Sequence, residues 1–89
     1  MKAVVTVIGK DKVGIIAKTS AACAAHGVNI LDITQTVLEE YFTMVMLCDI
    51  GEMETTFSAF SAALSELGAR ENIDVRVMHE DIFNSMHKI

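Results

Sequence analysis

Apolar residues recur along this chain in two rhythms, one of period two and one of helical period. Residues 3–8 form a β-branched run bounded by Gly9, the pattern of a strand. Residues 10–14 are polar and read as a connector. From 15 to 26 the chain is rich in alanine and other helix formers, with Ile15, Thr19, Ala22 and His26 on one stripe and Ile16, Ala17, Ser20 and Cys23 on its neighbour. Gly27 follows as the expected stop. Over 28–38, Leu31, Ile33 and Val37 alternate with Asp32, Thr34 and Thr36, while 41–50 is almost continuously apolar. Both stretches predict strands, with Glu39 and Glu40 making a hairpin turn that carries neither Gly nor Asn. Residues 54–70 place Phe57, Phe60, Leu64 and Leu67 at helical spacing, behind Glu52 and Glu54, whose charge suits a helix N-terminus. Ile73, Val75 and Val77 then alternate with Asp74 and Arg76 as a fourth strand, and 81–88 reads as a short amphipathic tail with Ile82, Phe83 and Met86.

The order βαββαβ predicts an α+β, ferredoxin-like sandwich: a four-stranded antiparallel sheet with two helices on one face and the first and third strands at its centre. The whole chain, 1–89, reads as one domain, with 79–89 as a C-terminal tail. Two helices cover only one face of such a sheet, yet the other face is apolar however the central strands are turned. Either Val4 and Ile8 or Ala3, Val5 and Val7 point outward, together with either Val45 and Leu47 or Phe42, Met44 and Met46. An apolar face on a small domain marks an interface, so a homodimer is expected, with a monomer covered by its own tail as the alternative.

Composition narrows the function. The 89 residues are 52% hydrophobic and 21% charged, which is globular and not disordered. No apolar run reaches the roughly 20 residues of a membrane span and no signal-peptide pattern opens the chain, so a cytoplasmic protein without membrane contact is expected. Cys23 and Cys48 sit in apolar stretches without CxxC spacing and read as reduced core residues. The formal net charge of −5 argues against a nucleic-acid partner. Lys2, Lys10, Lys12 and Lys18 cluster early, either as a solvated basic edge or as an attractor of a small anion.

The connector from Gly9 to Gly14, GKDKVG, is the most informative stretch. It ends at a helix N-terminus, where free backbone N–H groups and the helix dipole favour a carboxylate. Gly9 and Gly14 let a ligand approach the backbone, and Asp11 either accepts from an ammonium group or caps the helix. Asn29 offers an amide that donates and accepts, or else eases the chain into the second strand. Catalysis finds little support, because Ser20, Ser58, Ser61 and Ser65 lie in helical patterns without a neighbouring base. An acylphosphatase-like enzyme, the minor alternative, wants an arginine in the first loop, which here holds only lysines. His79, Glu80, Asp81 and His87 match no strong metal spacing, and no cofactor is implied.

The stretch GKDKVGII, a helix of small residues and then GVNILDI resemble the ACT domain, a regulatory module of amino-acid-responsive enzymes and regulators. The likeness in element order runs over about 2–78, and the ending HEDIFNSMHKI is similar to that of small stand-alone bacterial ACT proteins. The resemblance implies a regulatory module sensing an amino acid between two copies. Asp11, Lys12, Val13 and Gly14 would come from one copy, and Asn29, Ile30 and Leu31 from the other. Ligand-binding members carry a polar ring or an amide where this chain has Gly9 and Asp11. Output would pass through an unidentified protein partner; a ligand-free dimeric interaction module is the alternative. Two dimer geometries remain open. Edge pairing through 28–38 would set Asn29 beside the other copy's loop, whereas face-to-face packing would bury the apolar sheet surface.

Overall fold

The computed structural model describes residues 1–10 and 14–86. Its elements are β1 (Lys2–Lys10), α1 (Ile15–Ala25), β2 (Asn29–Leu38), β3 (Tyr41–Asp49), α2 (Phe57–Glu71), β4 (Asp74–His79) and α3 (Glu80–Met86). The strands form one antiparallel sheet in the order β2-β3-β1-β4. The two most continuously apolar strands are therefore the central ones. This is the ferredoxin-like α+β architecture.

Register decides which side chains meet the helices. Val5 lies opposite Met46 and Val77, and Val7 opposite Met44 and Val75. These residues, with Ala3 and Cys48, join Ile15 and Cys23 of α1 and Phe60, Leu64 and Leu67 of α2 in the core. The buried line on α1 is Ile15, Thr19 and Cys23, an i, i+4 row drawn from both expected stripes, whereas Ile16 is exposed. The Thr19 hydroxyl is satisfied by the Ile15 carbonyl at 2.8 Å, so its burial leaves no polar group unpaired. Cys23 and Cys48 are free thiols in this core. Hydrogen bonding to Cys23 and then burial push the Cys48 thiol well above the ordinary range. Val4, Thr6 and Ile8 point to the opposite face beside Leu47, Val45 and Thr43.

The helix ends explain where boundaries differ from the expected ones. Gly27, at φ 72°, closes α1: the Val28 N–H reaches the Cys23 carbonyl and the Gly27 N–H reaches that of Ala24. Asn72, at φ 57°, ends α2 in the same way, and the Ile73 N–H donates to the Gly68 carbonyl. Ile73 is thereby held by the helix cap, and β4 starts one residue later. The N-terminus of α2 is set by Thr56, whose hydroxyl accepts from the Ala59 N–H at 3.1 Å. Glu54 precedes the helix and instead donates its backbone N–H to the His26 carbonyl. β1 runs on through Gly9 to Lys10, because both residues continue the ladder opposite Phe42 and Tyr41.

α3 extends the expected pattern. Among the described residues its backbone neighbours are in β1 and β4. His87 and Lys88, the end of the expected tail, are outside the described residues.

Candidate functional site

The site begins where β1 delivers the chain to α1. Gly14 is the N-cap at φ 87° and ψ 0°, a left-handed conformation that costs other residues roughly 1–2 kcal/mol. Among the described residues a Cβ there would meet nothing within 4 Å, so it is the backbone angle that calls for glycine. The Lys18 N–H donates to the Gly14 carbonyl at 2.9 Å, which closes the first turn. The N–H groups of Ile15, Ile16 and Ala17 precede that bond and, with the helix dipole, face the end of α1. Asp11, Lys12 and Val13, three of the expected ligand residues, lie outside the described residues.

Beside this helix end is a cavity of about 550 Å³ lined by Gly14, Ile15, Ile16, Ala17, Gln35, Val37 and Phe42. The volume falls within the range of small-ligand sites, roughly 300–1,000 Å³. Among the described residues Gln35 is the one polar side chain that lines it. Val37 and Gln35 of β2 lie opposite Phe42 and Met44 of β3, so the edge strand and the start of α1 form the two sides. Sequence reasoning passed over Ile16, Ala17, Gln35, Val37 and Phe42 as site residues. The available signal was Gln35, a polar residue in the inward row of Ile33, Gln35 and Val37.

The second expected half-site is elsewhere. Asn29 opens β2 opposite Asp49, which lies opposite Lys2; Leu38 ends β2 opposite Tyr41, which lies opposite Lys10. Eight residues of β1 separate the two rows, about 26 Å at strand rise. Within one chain, Asn29 and Gly14 therefore sit at opposite ends of the sheet. Asn29 is exposed, and among the described residues its amide has no hydrogen-bond partner. Ile30 packs half-buried against the core, whereas Leu31 falls in a β-bulge between Ile30 and Asp32 and is 46% exposed. Gly9 has a packing reason to be glycine: a Cβ would lie 2.5 Å from Ile73 Cγ2.

The other candidates disperse. Lys2 and Lys10 are at opposite ends of β1, and Lys18 pairs with Glu71 of α2 at 2.8 Å, so the early lysines form no shared patch among the described residues. His79 stacks on Phe57 with ring centroids 4.0 Å apart and 17° between planes. No group of three His, Cys, Asp or Glu is arranged to hold a metal among the described residues. No helix among them is long and apolar enough to cross a membrane.

Sheet order and helix placement define the class, the small ferredoxin-like α+β modules. Residues 2–78 match the sequence profile of the ACT domain. A UPF0237 protein of Clostridium perfringens is 48% identical over 89 residues, spanning 100% of both chains. An ACT domain protein from Streptococcus pneumoniae superposes with a TM-score of 0.81 at 40% identity, over 93% of each chain. The regulatory subunit of aspartate kinase from Thermus thermophilus has the same fold, with a TM-score of 0.66 and 23% identity over 86% of this chain and 50% of that one. The chain belongs to the ACT domain family. That family is one of regulatory, ligand-binding modules.

Proposed function

We propose that this protein is a regulatory module that binds a free amino acid at the interface of a homodimer. The observation that carries the reading is the placement of Gly14 and Asn29 at opposite ends of one exposed edge strand. β2 is ten residues long, lies at the sheet edge and contains neither Lys nor Pro to discourage pairing. Antiparallel pairing of β2 with β2 of a second copy reverses one strand against the other, which sets Asn29 of each copy beside the α1 start of its partner. The N–H groups at that start take the ligand carboxylate, Asp11 its ammonium and Asn29 a remaining polar atom. The half-exposed Leu31 and the apolar cavity wall enclose the rest. Occupancy stabilises one dimer arrangement over another, and this differential affinity is what a protein partner reads.

Thermal unfolding against each of the twenty amino acids tests the proposal. A ligand at a hundred times its Kd stabilises by about 2.7 kcal/mol, which raises the midpoint of a domain this size by roughly 10 °C or more. That rise is expected for at least one amino acid in the natural chain and is expected to vanish in Asp11→Ala and Asn29→Ala. No response to any amino acid at millimolar concentration would leave the ligand-free interaction module as the function.

A further inference from the structure

The cavity beside the start of α1 has a buried floor and an apolar rim that stands in water. Ile15 and Phe42, at its floor, are 3% and 9% exposed. Ile16 and Val37, at its rim, are 37% and 63% exposed. At Gly14 a Cβ would meet nothing within 4 Å among the described residues, so that side of the cavity has space.

None of the described residues that line the cavity carries a charge, and Gln35 brings only a neutral amide. The described lysines nearest in sequence to residues 14–17 each have a carboxylate partner: Lys10 lies 3.8 Å from Glu40, and Lys18 lies 2.8 Å from Glu71. A charged ligand group entering here would lose water without gaining a counter-charge, which is strongly unfavourable. An apolar group has no such loss. By covering Ile16 and Val37 it also takes apolar surface out of water.

We propose that this cavity receives the ligand's side chain and selects amino acids with a large apolar one (leucine, isoleucine, methionine or phenylalanine) over small and charged ones. This selectivity rests on the amino-acid reading above and adds a side-chain class to it. The N–H groups assigned there to the ligand carboxylate belong to Ile15, Ile16 and Ala17, which also line the cavity. Only the Cα of an amino acid separates its carboxylate from its side chain, so a ligand anchored on those amides presents its side chain at the cavity mouth. Each further methylene buried there tightens binding roughly fourfold. Leucine, with three more carbons than alanine, therefore binds well over tenfold tighter.

Isothermal titration of the full-length chain with each of the twenty L-amino acids tests the selectivity. The tightest binder is expected among the four named, at least tenfold tighter than alanine and than any charged amino acid. Ile16→Ala keeps a strong helix former in α1 and leaves β2 untouched. In that variant the preference of the tightest binder over alanine is expected to fall at least threefold, while alanine binds as before. Tightest binding by a small, polar or charged amino acid would overturn the selectivity and leave amino-acid binding intact. So would a preference that Ile16→Ala, shown to be folded by circular dichroism, does not change. Binding by none of the twenty would overturn both.

Discussion

At the scale of single residues, Gly9 and Gly14 are the same amino acid for different reasons. Gly14 is glycine for its backbone angle, and nothing among the described residues crowds it. Gly9 lies in a regular ladder position, and what it lacks is room, because Ile73 fills the space a methyl group would need. Gly9→Ala is therefore expected to destabilise the fold by about 1–3 kcal/mol, the usual range for overpacking. Denaturant unfolding measures it, and Gly9→Ala combined with Ile73→Ala should lose less than the two single changes summed. A sequence shows that a glycine follows a strand; it does not show which side chain from 64 residues further on comes to rest against it. Gly9 was thus legible as unusual but not as a packing position. Asn29 was legible as a polar group at a strand start, and its exposure is consistent with the role proposed for it.

Among the elements, the strands were the most readable, because β1 and β3 carry nearly continuous apolar runs and β2 and β4 alternate. The α1 row was less so: alanines and serines make several stripes look equally suited, and only packing into the core selects Ile15, Thr19 and Cys23. The bulge in β2 was not legible at all. Alternation of Leu31, Ile33 and Val37 reads as one face, yet the extra residue takes Leu31 out of the ladder while Ile33 and Val37 remain in it. That displacement leaves a large apolar side chain on a free edge. Leu31→Lys places a charge there, a device by which natural edge strands avoid partners. We expect it to weaken homodimerisation at least tenfold, about 1.4 kcal/mol, with little change in the melting of the subunit itself. Analytical ultracentrifugation over a dilution series measures the effect, and an unchanged dimer would remove β2 as the interface.

For the whole molecule, the proposed sites are composite, and this makes them separable by mixing. Asp11→Ala breaks the loop half and Asn29→Ala breaks the strand half, so neither variant alone is expected to bind. In a heterodimer of the two, one site receives both defects and the other receives none. After exchange of an equal mixture, half the dimers are of this kind, and isothermal titration should recover about a quarter of the natural binding capacity, as expected for an isologous pair. Binding that each variant lost alone and that mixing failed to restore would place Asp11 and Asn29 in separate functions.

The distance between the two ends of β1 has a further consequence for how such a dimer would respond to concentration. Each chain lends one end of its edge strand to each site, so a dimer holds two ligands, one per chain, coupled through a single continuous sheet. The first ligand to bind fixes the strand pairing on which the second depends. Response would then be steeper than simple saturation, with a Hill coefficient between one and two, and it would sharpen as the protein is diluted towards its dissociation constant.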